Sequence, residues 1–268
     1  MSYIDDTISL VHEKFPGTTK IGVSLIGYLN GDSWTILPLL VGLGEVFDVR
    51  ISCGMWSQAV WKFAQKEVVG ANFTIDYIVD DATWPSQFPK DRVCKYWAPW
   101  GYPAIMPGYD EFVARADYPV LHPQNVPAAY RQPPTHLKMK TIVTAQKPHI
   151  FVQGRTHDPW KSQWDIAFSA EYKLPAYSCS YPTEQCGKLL RCEDTLYAKV
   201  KTCLEAKFVV TVLSSFSIVA ALFQKRQIIV ACTPNMESDM TIMNPNAIYL
   251  TEPTIEVLQE TIEMCENE

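Results

Sequence analysis

The sequence predicts an α/β protein with two Rossmann-like domains facing a cleft. Three observations carry that expectation. Short apolar runs bounded by turn residues alternate with longer stretches of helical periodicity, the pattern of buried parallel strands and crossover helices. The alternation occurs twice, interrupted over residues 82–147 by a stretch rich in proline and aromatic side chains. The chain is also long enough: 268 residues, 47% hydrophobic and 19% charged, make an ordinary globular composition, enough for one large domain or two compact ones.

Taken in order, residues 20–26 (KIGVSLI) read as a first buried strand, 27–34 (GYLNGDSW) as a loop, and 36–47 (ILPLLVGLGEVF) as a helix. Residues 48–54 (DVRISCG) give a second strand, 56–68 (WSQAVWKFAQKEV) a second helix and 75–80 (IDYIVD) a third strand, completing a βαβαβ half. The segments TWPSQFP, KYWAPWGYPAIMPGY and HPQNVPAAYRQPP then hold prolines too dense for long helices or central strands, so 82–147 reads as a loop or lid. The pattern restarts with strands at 149–154 (HIFVQG), 176–181 (AYSCSY), 207–213 (KFVVTVL) and 227–232 (QIIVAC). Helices are expected at 161–172, 195–206 and 216–224, and an acidic one closes the chain at 254–265. The domains divide as 1–147, which includes the lid, and 148–268.

Twenty-three Lys and Arg against 29 Asp and Glu give a net charge of −6, which argues against a general nucleic-acid or anionic-membrane binder. The excess is local. Residues 251–268 hold six glutamates (Glu252, Glu256, Glu260, Glu263, Glu266 and Glu268) and no base, leaving 23 acids against 23 bases elsewhere. Residues 131–161 carry Arg131, Lys138, Lys140, Lys147, Arg155 and Lys161 against Asp158 alone, which marks where an anionic partner would bind. No run of about 18 apolar residues marks a transmembrane helix. The polar, acidic start (MSYIDDTISLVHEKF) lacks the features of a signal peptide, so the expected location is cytoplasmic. Eight cysteines without a CxxC read as reduced thiols serving as small hydrophobes.

Ligands of open α/β sheets bind at the carboxyl ends of strands, so the loops there are the places to look for chemistry. After the first strand, Gly27 and Gly31 permit a tight turn and close backbone approach, and Asp32 falls near the start of a helix. Asp32 or Ser33 serves as an N-cap, or Asp32 is a general base for a substrate hydroxyl. The absence of GxGxxG argues against a dinucleotide-dependent dehydrogenase. In the second half, Arg155, Thr156 and Lys161 follow a strand and precede a helix, which suits a phosphate cradle; Arg155 and Lys161 read equally as solvated charges. His157 and Asp158 have no third ligand nearby, so no metal is expected. Ser214 and Ser215, between strand and helix, either cap that helix or hold a phosphate, and without GxSxG they are not a nucleophile elbow.

Three of these segments, in this order, resemble the heptosyltransferase-like glycosyltransferases of the GT-B fold. GDSWTILP at 31–38 is similar to that family's GD…LP element, KSQW at 161–164 to its K-x-W or K-x-x-W element, and AKFVVTV at 206–212 with Ser214, Ser215, Ala220 and Ala221 to its last block. The resemblance implies transfer of a sugar from a nucleotide diphosphate sugar to an acceptor hydroxyl, with inversion and without metal or other cofactor. It further implies that Asp32 is the base, that Lys161 neutralises the departing diphosphate, that Ser214 and Ser215 hold the phosphates, and that Glu184 meets the nucleotide ribose. Residues 1–147 would take the acceptor and 148–268 the donor. The chain departs where the family carries an acid before this serine pair and a histidine after it, having Leu213 and Ile218 there. Trp34, Trp97 and Trp100 are acceptor-side candidates, since aromatic faces stack on sugars or bases; the aromatics of the middle region read equally as a lid packed on its own domain. The acceptor would be a glycan precursor or a modified nucleobase in DNA. Other readings are a non-catalytic nucleotide-sugar-binding or interaction protein derived from such an enzyme, and a sugar-nucleotide epimerase.

Overall fold

The computed structural model describes residues 3–14, 16–25, 30–55, 57–79, 93–97, 103–107, 120–121, 137–142, 147–153, 166–179, 187–212, 214–231, 244 and 247–268. Two compact units divide the chain, Met1–Pro133 and Pro134–Glu268. The division falls ahead of residue 147 because residues 137–142 belong with the second unit: the Leu137 N–H donates to the Leu222 carbonyl at 3.0 Å, and Ile142 is buried.

In the first unit, β1 (Lys20–Leu25), β2 (Asp48–Gly54), β3 (Phe73–Val79) and β6 (Val120–Leu121) form a parallel sheet in the order β3-β2-β1-β6. Within the proline-rich stretch, β4 (Val93–Trp97) and β5 (Pro103–Pro107) pair antiparallel as a separate ribbon. β6 lies in the same stretch yet joins the main sheet beside β1, a strand that the sequence reading did not foresee. α1 (Tyr3–Lys14), also unforeseen, repeats Ile4, Ile8 and Val11 at helical spacing, with Val11 fully buried.

α2 (Asn30–Leu43) starts within the segment expected to be a loop. Its first turn tolerates Gly31 and Asp32 because amides there need no intrahelical acceptor, and the Thr35 hydroxyl donates to the Gly31 carbonyl at 3.1 Å. The gain is burial: every residue from Ser33 to Leu40 is inside. Pro38 sits within α2 and has no N–H to donate, a defect offset by the packing of a helix apolar on all sides. α3 (Gln58–Glu67) buries Val60, Trp61, Phe63 and Ala64, and the Trp61 indole N–H donates to Ser57 Oγ at 3.2 Å. Polar satisfaction of this kind is what a buried tryptophan requires.

The second unit holds a six-stranded parallel sheet, β12-β11-β10-β7-β8-β9. The strands are β7 (Lys147–Gln153), β8 (Ala176–Ser178), β9 (Leu190–Arg191), β10 (Ala206–Val212), β11 (Gln227–Ala231) and β12 (Ala247–Thr251). Counted within the unit, the order is 3-2-1-4-5-6, that of the dinucleotide-binding doubly wound fold. The helices are α4 (Ile166–Ser169), α5 (Leu196–Glu205), α6 (Ser215–Leu222) and α7 (Ile255–Asn267). One sheet face packs Ile150, Val152, Phe208, Val210, Ile228 and Val230 against Leu258, Ile262 and Cys265 of α7. The other lies under α5 and α6, where Phe151 meets Phe216 with ring centres 5.0 Å apart. Burial on both faces explains why β10 reads as a continuous apolar run rather than an alternating one. Among the described residues, no helix is long and apolar enough to cross a membrane.

Candidate functional site

Each sheet reverses its strand order at one point. Parallel strands whose connections leave in opposite directions open a crevice at their carboxyl ends, and that is where ligands bind in such folds. In the first unit the point lies between β1 and β6. The chain leaves β1 at Leu25 and enters α2 at Asn30; Gly27 falls between them, outside the described residues. Gly31 and Asp32 are the second and third residues of α2, so the backbone of Asp32 stands at the helix start that follows β1, on the carboxyl edge. Trp34 is not on the acceptor side. It is 1% exposed and packs edge-on against Phe63 at 5.7 Å, because one helical turn into α2 its position faces the core. Trp97 ends β4, paired with Pro103 in the ribbon; Trp100 lies outside the described residues.

In the second unit the reversal lies between β7 and β10, the first and fourth strands. Gln153 is the last residue of β7 and pairs in register with Thr211 of β10. Ser214 is the N-cap of α6, with extended backbone, and Ser215 is the first helical residue. The Ser214 hydroxyl donates to Gln153 Oε1, bridging residues 61 apart in sequence. Ser217 locks the cap: its Oγ accepts from the Ser214 N–H at 3.0 Å and donates to the Ser214 carbonyl at 2.7 Å. Behind it, Gln227 Nε2 donates to the Ser217 carbonyl at 3.4 Å. The serines therefore do cap the helix, and the cap itself lies at the reversal point. Thr211 Oγ1 and Gln227 Oε1 are buried and have no hydrogen-bond partner among the described residues. The α6 amino terminus adds the partial positive charge of its free amides.

Arg155, Thr156, Lys161, Glu184 and Leu213 lie outside the described residues. Ile218 is 2% exposed and faces the core from α6. Of the basic segment, Lys138, Lys140 and Lys147 are among the described residues. Lys147 stands at the amino end of β7, about 20 Å from Gln153 at roughly 3.3 Å per residue. There it pairs with Glu205 at 2.6 Å. Lys138 and Lys140 are exposed. Gln153 and Thr211 escaped sequence reasoning; the available signal was a polar residue ending or interrupting an apolar strand.

Among the described residues, Cys53, Cys203 and Cys265 are buried like small hydrophobes, and burial pushes the Cys203 thiol far above its usual range. Among the described residues, no three His, Cys, Asp or Glu side chains are grouped to hold a metal ion.

No known family matches the chain by sequence, and no curated protein does. Among solved structures, it is similar to a glycosyl transferase family 9 protein from Veillonella parvula DSM 2008, with a TM-score of 0.54 at 11% identity over 93% of this chain and 97% of that one. It is also similar to the dodecameric iron-containing heptosyltransferase TibC, whose structure holds ADP-D-beta-D-heptose, with a TM-score of 0.46 at 10% identity over 88% of this chain and 65% of that one. The chain thus shares the fold of the family 9 structure, in line with the GT-B expectation, through parallel α/β sheets in both units.

Proposed function

We propose that the protein is a glycosyltransferase that moves a sugar from a nucleotide diphosphate sugar to an acceptor hydroxyl. The observation that carries the reading is the strand-order reversal between β7 and β10, the place where such folds open a crevice, with a serine-capped helix start and Gln153 standing at it in a 3-2-1-4-5-6 sheet. Such a crevice suits a nucleotide diphosphate: the helix start supplies N–H donors and favourable charge to the phosphates. Ser215 opens this helix start and Ser214 caps it, its own N–H and hydroxyl engaged by Ser217 and Gln153; Arg155 and Lys161, with Thr156 between them, follow β7 in the sequence as its cationic complement. Glu184 would hold the ribose.

Asp32 follows the first strand at the equivalent reversal of the other sheet. In this reading its carboxylate takes the proton of the acceptor hydroxyl while the diphosphate departs from the opposite face of the sugar, inverting the anomeric carbon. General-base assistance is worth about 10²- to 10⁴-fold, and charge stabilisation of the leaving group contributes comparably. No metal is needed for either role. The acceptor is a glycan precursor or a modified nucleobase.

A panel of nucleoside diphosphates and their sugars, followed by thermal shift and by release of nucleoside diphosphate, tests the proposal. A ligand at about 100 times its dissociation constant adds roughly 2.7 kcal/mol of stability. Asp32→Ala is expected to keep the fold and donor binding while losing transfer at least about 10²-fold. Full activity in that variant would overturn the mechanism. Binding without turnover would favour the non-catalytic reading, and a changed sugar without acceptor would favour an epimerase.

A further inference from the structure

We propose that Gln153 is a donor-binding residue whose carboxamide N–H groups meet the diphosphate, a role resting on the donor-site reading above. Gln153 closes β7 at the crevice and is half-buried. Its Oε1 accepts the Ser214 hydroxyl, which fixes the amide; its two N–H donors have no partner among the described residues. Ser214 is itself held on both backbone sides by Ser217, so the partner that orients Gln153 is rigid.

A second observation points to the same place. Thr211 pairs with Gln153 across the β7–β10 ladder, so both side chains stand on one sheet face, the face on which Phe151 meets Phe216 of α6. The Thr211 hydroxyl is fully buried and has no hydrogen-bond partner among the described residues. A buried hydroxyl left unpaired is unfavourable, and in this proposal a ligand oxygen bound at the helix start, beside the fixed amide, satisfies it. Ser214 and Ser217 spend their hydroxyl protons inside the cap, which leaves the Gln153 amide and the Thr211 and Ser215 hydroxyls, all uncharged, as the side-chain donors an anion would meet here.

The test compares the wild-type chain, Gln153→Glu and Gln153→Leu by calorimetric titration with UDP, ADP and GDP and with the matching nucleosides. Thermal unfolding of each variant verifies folding. Gln153→Glu sets a carboxylate against the phosphates, and the expected result is a loss of diphosphate affinity of about tenfold or more, with nucleoside affinity unchanged. Gln153→Leu removes the donors without adding charge and is expected to lose about three- to tenfold, again only for diphosphates. Equal losses for diphosphate and nucleoside would mean a structural role and overturn the inference, as would unchanged diphosphate binding in both variants. If the wild-type chain binds no nucleoside diphosphate, the donor-site reading itself falls, an outcome distinct from a failure confined to Gln153.

Discussion

Trp34 shows how a single side chain changes meaning between sequence and structure. In a segment read as a loop its ring suited an acceptor; in α2 it fills the core beside Phe63. Trp34→Ala is expected to cost about 3–5 kcal/mol in denaturant unfolding, as large aromatic truncations in cores do. A loss under about 1 kcal/mol would contradict the burial. The glycines ending α2 offer a finer contrast. A Cβ at Gly44 would come within 2.8 Å of the Asn72 carbonyl oxygen, just ahead of β3, and 3.2 Å of that of Leu40, which accepts the Gly44 N–H, both backbone atoms that cannot step aside as a side chain can. One at Gly42 would meet only the side chain of Ile4, at 2.5 Å. Gly44→Ala should therefore destabilise by about 1–3 kcal/mol. Gly42→Ala should cost less, because Ile4 can change rotamer and alanine adds about 1 kcal/mol of helix propensity. Parallel urea titrations of the two variants check the order.

At the scale of elements, the acidic closing helix is a structural part of the second unit. α7 inserts Leu258, Ile262 and Cys265 into the sheet core. Its polar side chains then tie down the chain after α4: Gln259 exchanges two hydrogen bonds with the Glu171 backbone at 2.8 and 3.0 Å, and Glu266 Oε1 accepts from the Lys173 and Leu174 amides. The carboxylates that set the net charge thus include one that holds backbone. Ile262→Ala is expected to cost about 2–5 kcal/mol and Gln259→Ala about 1 kcal/mol, both read from thermal unfolding. α5 depends on Thr195, whose hydroxyl accepts from the Ala198 amide at 3.1 Å. Thr195→Ala should cost about 1 kcal/mol, and Thr195→Asn should restore most of it. The serine cap of α6 uses the same chemistry, with the difference that its N-cap hydroxyl is turned toward β7.

At the scale of the molecule, pH exposes what the core has enclosed. Cys203 is fully buried, and burial is the main cause raising its thiol above the usual value of 9.0, followed by the neighbouring Cys179. Tyr172 is raised from 10.0, first by burial and then by Glu266. A folded state that keeps these groups protonated is fully favoured below the unfolded pKa values and loses that advantage as pH rises past about 9 for the thiol and 10 for the phenol. The slope is at most about 1.4 kcal/mol per pH unit for each group. Lys225 opposes them: burial lowers its ammonium, so its contribution declines as pH falls below the lysine range. Cys203→Ala is accordingly expected to flatten the alkaline loss of stability relative to the wild-type chain, measured as unfolding free energy between about pH 8 and 11. An unchanged difference curve would contradict the enclosed thiol.

The periodicity of the sequence determined the main elements because β10, β11 and the central part of β7 are buried on both faces, which reads as an apolar run, while β2 buries Val49, Ile51 and Cys53 in alternation with Asp48 and Arg50, the other direct mark of a strand. Short strands such as β6 and β9, two residues each, carry no pattern long enough to read, and α1 begins too polar to stand out. The loops after β1 and β10 were legible as places for chemistry because strand, turn and helix follow one another there. What only the tertiary structure decided was which of those ends meet. The strand orders, the inward turn of Trp34, the withdrawal of Lys147 to the far end of β7 and the meeting of Gln153 with Ser214 depend on contacts between residues distant in sequence. Local periodicity records whether a side chain is buried; only the folded chain sets what it is buried against.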